Sequence, residues 1–322
     1  MKIVFHGGNA ANFRPGFAEM LQGRYEIIDL TDGLDRPGER AQFASAEVII
    51  GVRLSANEPD PTKLRLYHAP AAGVEAIDVK RLPVGSTLCN CFGHESAIAE
   101  YVFAALLQRH VPLADADRNL RHGDWTHLAG SPGALRTELG SQTIGLLGFG
   151  HIGKAIASRA KAFGMRVVVA NRSPVATSAV VDQSFGLDAL PQFMGAADIV
   201  VVALPLNETT RGVVDATALA SMQPNAIVIN VGRGPLIDEA ALYDALKTHH
   251  IGGAIIDTWY TYPSAAGQKA FPGRLPFQEL PNLVMTPHMS GWTHGTVLRR
   301  QQTIADNIRR LDHGETLVNV VS

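Results

Sequence analysis

The sequence predicts an α/β protein of two domains, each built on a parallel sheet. Three observations carry this. Eleven short Val/Ile-rich runs recur along the chain, most without strict alternation, as in strands covered on both faces. Helical stretches separate them, which implies βαβ crossovers. Eleven strands are too many for one comfortable open sheet, and 322 residues exceed what a single core usually holds.

Taken in order, "KIVFH", "YEIIDL", "EVIIG", "LRLYHA" and "STLCN" supply the strands of a first domain. "ESAIAEYVFAALLQRH", residues 95–110, is apolar nearly all round, with Glu100 the interruption, and predicts a buried helix between domains. Residues 111–142 are polar, Gly-rich and irregular. A second unit starts at Thr143 with "TIGLLG", "RVVVAN", "DIVVVALP", "AIVINVG", "GAIIDTW" and "NLVMTP". The final "GTVLRRQQTIADNIRRLDHGE" is a helix with one apolar face, fit to return to the first domain. The expected domains are 1–97 with 290–322, and 98–289.

Net charge −2, from 28 basic and 30 acidic side chains, offers no clustered basic surface for nucleic acid. Cys89 and Cys91 stand one residue apart in "LCNCFG", which makes no disulfide framework and fits a reducing compartment. "MKIVFHGG" reads as a first strand rather than a signal peptide, and no apolar run approaches the ~20 residues of a membrane helix. A cytoplasmic protein with no membrane partner and no metal site is expected.

"TIGLLGFGHIGKAIASRAKAFG" spaces Gly148, Gly150 and Gly153 as G-x-G-x-x-G, after a strand and before a helix. Gly148 allows the tight turn, Gly150 a close backbone approach to pyrophosphate, and Gly153 close helix–strand packing; the helix N-terminus faces the phosphates. A dinucleotide site is the expectation. The next strand ends at Asn171, where an NAD site usually carries an acidic residue, and Arg172 and Ser173 follow. A neutral residue beside a guanidinium suits a 2′-phosphate, so NADP is favoured over NAD, which stays possible.

"NVGRG" puts Arg233 between two glycines at a strand's C-terminal end, where open α/β sheets bind ligands; the glycines are read as leaving backbone room for one. "VMTPHMSGW" puts His288 at another strand end. One such residue is ordinarily structural, but two after different strands of one sheet suggest a site. Trp259, Tyr260, Trp292 and Phe92 read first as core and second as pocket lining.

Together with "APAAGVEAID", "NCFGHESAIAEYV", "GLLGFGHIG", "VVVALPLNETTRGVV", "TPHMSG" and "GETLVNVV", these motifs make the chain resemble, nearly end to end, the D-isomer-specific 2-hydroxyacid dehydrogenase family, which includes formate dehydrogenases. The resemblance implies two flavodoxin-like or Rossmann-like domains with the active site in the interdomain cleft. It also implies a homodimer through the nucleotide-binding domain, with residues 111–140 as its arm region. Arg233 would hold a 2-oxo acid's carboxylate and carbonyl, and His288 would act as acid and base. Backbone at Ala72, Gly73 and Val74 would take the carboxylate. The cofactor site would comprise Phe149, His151 and Ile152 within the glycine loop, and Leu204, Pro205 and Thr209. Val231, Gly232 and Gly291 would join it, while Asp257 and Ser290 contact the nicotinamide amide.

Two positions depart from the family's pattern. Tyr262 stands where the family has Glu, or Gln in formate dehydrogenases, beside the histidine; Glu75 stands where Asp or Asn is common. Tyr262 is therefore the expected partner of His288, with Glu279 of "PFQELPN" as the competing one. The functional expectation is an NADP-preferring reductase of small 2-oxo acids. The alternatives are oxidation of another small anion such as formate, and a non-catalytic nucleotide-sensing regulator.

Overall fold

The computed structural model describes residues 1–21, 25–263 and 267–321. It divides into two units, Met1–His94 with Trp292–Ser322, and Glu95–Gly291. The first unit contains β1 (Lys2–His6), α1 (Gly7–Ala11), α2 (Phe17–Met20), β2 (Glu26–Leu30), α3 (Glu39–Ala44), β3 (Val48–Ile50), β4 (Leu66–His68) and β5 (Thr87–Cys89). The second contains α4 (Glu95–His110), α5 (Leu113–Arg121), β6 (Thr143–Leu147), α6 (His151–Ala162), β7 (Arg166–Asn171), β8 (Gln183–Gly186), α7 (Leu190–Gly195) and β9 (Ile199–Val202). It continues with α8 (Ala216–Ala220), β10 (Ile227–Asn230), α9 (Glu239–Lys247), β11 (Gly253–Ile256) and β12 (Leu283–Met285), and α10 (His294–His313) then returns to the first unit.

Both sheets are parallel. The first has the flavodoxin-like order β2-β1-β3-β4-β5. Its inner strands are short and buried on both faces, so successive residues enter opposite layers. Ile3 and Phe5 pack with Val48, Ile50 and, from α10, Ile304 and Ile308. Val4 packs with Ile49, Tyr67 and Leu88 on the other side.

The C-terminal tail covers the edge that β5 would otherwise expose. Asn90 donates its amide to the Asn319 carbonyl at 3.1 Å and Val321 to Leu88 at 2.8 Å. Asn307 of α10 holds the tail by both ends of its amide. Its Oδ1 accepts from the Val318 N–H at 2.8 Å, and its Nδ2 donates to the Val318 carbonyl at 2.9 Å. The second Nδ2 hydrogen faces Nε2 of the buried His68 at 2.9 Å. Nε2 is therefore an acceptor, and the ring's proton sits on Nδ1. Burial pushes His68 down to about 4.

The second sheet runs β12-β11-β10-β9-β6-β7-β8. Chain order reverses between β6 and β9, the switch point at which such Rossmann-like sheets bind ligands. Val200, Val202, Val228 and Ile256 face one layer; Ile199, Val201, Ile227 and Ile255 face the layer shared with α4 and α6.

Three local expectations are corrected. α4 is one-sided, because Ser96, Glu100, Ala104 and Gln108 form an exposed stripe at four-residue spacing. Ser96 and Ala104 are small enough to make that face read as apolar. The residues after α4 are not wholly irregular: α5 forms there, with Arg118–Asp115 at 2.6 Å and Arg121–Asp117 at 2.8 Å along its surface. A twelfth strand, β8, pairs with β7 at the sheet edge.

Candidate active site

The loops leaving β6, β9, β10, β11 and β12 all lie at the C-terminal edge of the second sheet. Gly148 has φ 104°, and a Cβ there would meet the Ala203 carbonyl oxygen at 2.9 Å. A Cβ at Gly153 would collide with the Gly148 carbonyl, so this glycine sets the approach of α6 to β6. A Cβ at Gly150 would meet nothing within 4 Å. The loop's surface is open there, at the start of α6, and no side chain caps the helix. These residues fit a pyrophosphate.

Asn171 closes the neighbouring strand. Its Oδ1 accepts the Phe149 N–H at 3.3 Å, and its Nδ2 donates to the Ser173 carbonyl at 3.0 Å. Arg172 and Ser173 are exposed, as are His151, Pro205 and Thr209. Thr209 gives its hydroxyl to Asn207 Oδ1 at 2.8 Å. Leu204, Val231 and Gly232 are buried, and Ile152 and Gly291 are half-buried.

Arg233 follows β10. Asn230, buried at the strand's last position, takes the Gly232 N–H at 3.1 Å and donates to the Arg233 carbonyl at 2.9 Å, tying the turn from inside. The flanking glycines make room for protein rather than for a ligand. A Cβ at Gly234 would strike the Trp259 carbonyl, and one at Gly232 would meet Leu236 Cδ1 at 2.7 Å.

Asp257 follows β11 and is fully buried. Its Oδ1 accepts the Thr286 hydroxyl at 2.6 Å and the Met289 N–H at 2.9 Å; its Oδ2 accepts the Ser290 N–H at 3.0 Å. Thr286, having given its proton to Asp257, accepts from the Tyr101 hydroxyl at 2.7 Å. The carboxylate thus clamps both sides of His288, which stands between these contacts at φ 58°, in the left-handed region. A carboxylate offers about four acceptor positions, so about one remains on Oδ2.

His288 Nδ1 lies 3.0 Å from Tyr262 Oη, which also accepts the Trp259 N–H at 3.1 Å. Burial, and then the Arg233 charge, lower the imidazole below its usual range against the opposing pull of Asp257. Burial raises the Tyr262 phenol; the Trp259 N–H and Arg233 oppose it. The competing Glu279 is exposed in the turn Phe277–Glu279 and makes no hydrogen bond to His288 among the described residues.

In the first unit, the loop after β4 has its carbonyls engaged. Ala72 accepts from Asn90 Nδ2 at 2.8 Å and Val74 from the Ile77 N–H at 3.0 Å. The amides of Gly73 and Val74 find no acceptor among the described residues. Trp259 and Tyr260 are core, packed round Phe277. Asn230, Thr286 and Tyr101 were not singled out from sequence; an Asn ending a strand just before G-x-G was the one signal available.

Residues 103–290 match the family described as D-isomer specific 2-hydroxyacid dehydrogenase, NAD binding domain. The glyoxylate reductase of Korarchaeum cryptofilum is 31% identical over 264 residues, 81% of this chain and 76% of that protein. A D-isomer specific 2-hydroxyacid dehydrogenase of Xanthobacter autotrophicus, solved with NADPH and MES, superposes with a TM-score of 0.78 at 27% identity, covering 100% of this chain and 98% of that one. The D-lactate dehydrogenase of Lactobacillus jensenii, solved with NAD+, does so with a TM-score of 0.78 at 25% identity, covering 100% of both chains. No helix among the described residues is long and apolar enough to cross a membrane. With five-stranded and seven-stranded parallel sheets, a dinucleotide fingerprint and this similarity, the chain belongs to the D-isomer-specific 2-hydroxyacid dehydrogenase family of NAD(P)-dependent oxidoreductases.

Proposed function

We propose that this protein reduces a small 2-oxo acid, of the glyoxylate or hydroxypyruvate type, to the D-2-hydroxy acid, with NADPH preferred to NADH. The observation that carries the reading is the placing of Arg233, Asp257 and His288 after three adjacent strands, near enough that the arginine's charge is felt by the imidazole. The guanidinium fork suits the carboxylate and carbonyl of a planar 2-oxo acid. The amides at Gly73 and Val74, beside Ala72, are open to a carboxylate. His288 Nε2 donates a proton to the carbonyl oxygen and takes it back in the reverse direction. When bound, the nicotinamide supplies the hydride. The glycine loop and the start of α6 would hold the pyrophosphate. Leu204, Pro205, Thr209, Val231, Gly232 and Gly291 would border the nucleotide. Ser290 and the free position on Asp257 would hold the nicotinamide amide.

The relative's name as a glyoxylate reductase and the NADPH in one neighbour support substrate class and cofactor. A panel of 2-oxo acids with NADPH and NADH, followed by nicotinamide absorbance, tests the reading. Turnover of none would sink it. Formate-dependent reduction of NADP+ would identify the other enzyme reading, against which the tyrosine at 262 argues.

The cofactor preference rests on Asn171, which brings no charge, and on exposed Arg172. Arg172→Ala is expected to raise KM for NADPH several-fold and leave NADH little changed. Equal losses with both cofactors would exclude a 2′-phosphate contact.

The same reading includes a homodimer. Residues 111–138 expose Leu113, Leu120, Trp125, Leu128 and Leu135, the last at 98%, more apolar surface than one segment ordinarily leaves in water. Sedimentation equilibrium should return twice the chain mass; a monomer at micromolar concentration would contradict it.

A further inference from the structure

We infer that Tyr262 exchanges protons with His288 in both directions, so that the imidazole works as an acid while uncharged. This rests on the reading of His288 as the proton donor to a 2-oxo acid. It goes beyond that reading in naming where the imidazole's own replacement proton comes from.

The geometry restricts the hydrogens. Tyr262 Oη already accepts the Trp259 N–H at 3.1 Å, which leaves one lone pair and the phenolic hydrogen. Nδ1 of His288 is 3.0 Å away. With the phenolic hydrogen directed at Nδ1, the ring's single proton sits on Nε2, ready for an acceptor such as a carbonyl oxygen. With the hydroxyl rotated, Oη accepts from Nδ1–H and holds the imidazolium equally well. A carboxylate at this position serves only the second arrangement, because it has no hydrogen to give.

Reduction then runs as two coupled proton transfers. As hydride adds to the carbonyl carbon, the C=O π pair takes the Nε2 proton, and the Nδ1 lone pair takes the phenolic hydrogen. The Nε2–H and Oη–H bonds, the carbonyl π bond and the C–H bond of the hydride donor break; the new C–H, O–H and Nδ1–H bonds form. Burial disfavours the phenolate, and the Trp259 N–H and the Arg233 charge oppose that penalty. Tyr262 is 48% exposed. Return of the Nδ1 proton to Oη, with uptake of one solvent proton at Nε2, resets the pair. The charged groups facing it are Arg233 after β10 and Asp257 after β11, of opposite sign. Burial and then Arg233 disfavour the imidazolium, against the opposing pull of Asp257, and so favour the neutral ring beside Tyr262 Oη.

Tyr262→Phe keeps the ring and removes the relay, together with the acceptor of the Trp259 N–H. In the wild type, the alkaline limb of the reductive kcat profile should extend past the histidine's lowered range. In Tyr262→Phe, the kcat that remains should be greatest at acid pH and fall about tenfold for each pH unit above that range, since only the imidazolium can then donate. Mixtures of light and heavy water should show two protons moving in the wild type and one in the variant. Superimposed profiles would overturn the proposal, as would a one-proton dependence in the wild type. Nitrogen-15 spectra of the imidazole read the pair without any substrate. An Nε2–H tautomer in the wild type that is lost in Tyr262→Phe supports the relay even if no 2-oxo acid is turned over. A wild-type Nδ1–H tautomer overturns it whatever the activity.

Discussion

Arg233→Ala is expected to lower kcat/KM for 2-oxo acids by about 2–5 kcal/mol, the range for removing one partner of a desolvated, hydrogen-bonded charge pair. Arg233→Lys should recover only part of this. An ammonium restores the charge but not the planar fork that matches carboxylate and carbonyl together. The turn itself should survive, because Asn230 holds it through the backbone of Gly232 and Arg233. A second signature follows from the electrostatics. The Arg233 charge lowers the His288 pKa, so its removal raises that pKa, and the pH dependence of the residual activity should move upward. Arg233→Lys should leave it nearly in place. Steady-state kinetics across pH for the three proteins decides the matter. A fully active lysine variant would show that no bidentate contact is made.

Acidification is expected to remove on the order of 3 kcal/mol from the stability of the first unit, through His68 alone. In the folded state this imidazole is held down to about 4 from an ordinary 6.5. Between those values the unfolded chain binds a proton that the folded chain refuses. The contribution is fully present above 6.5, declines as pH falls, and is lost by about 4. The cause is the burial of the ring, whose Nε2 accepts from Asn307, the residue whose other contacts clamp the tail. Hydrogen exchange of the β4 amides in denaturant, compared at neutral and acid pH, measures the loss. His68→Gln should be less stable at neutral pH but markedly flatter in its pH response. An equally steep response in the variant would assign the acid sensitivity to other groups.

Most strands legible in the sequence were buried on both faces, where unbroken Val/Ile runs leave little choice of structure; the half-exposed β2 and β12 were legible by their apolar runs. β8 escaped notice because an edge strand of alternating exposure, Gln183–Gly186, offers a single large apolar residue. The exposed stripe of α4 was hidden by its small residues, and α5 by a polar composition that a surface helix shares with a loop. Arg233 and His288 stood out because strand ends advertise ligand sites. Their supports did not. Asn230 acts on the turn just after it, which only the folded backbone shows, Thr286 acts through an Asp257 that only the fold brings near, and a glycine's reason, as at Gly234, lies in a backbone 25 positions away.

The return of α10 and the tail to the first sheet has a consequence for how the chain is made. Synthesis runs from the N-terminus, so β1–β5 leave the ribosome well before the segment that completes them. Until residues 292–321 follow, the layer containing Ile3, Phe5, Val48 and Ile50 lacks Ile304 and Ile308, and the outer edge of β5 is unpaired. The nucleotide-binding unit is contiguous and meets no such delay. Residues 292–321, made after the whole nucleotide-binding unit, therefore close a sheet made before it, and in the interval the nascent protein carries an open strand edge, the kind of surface on which chains aggregate.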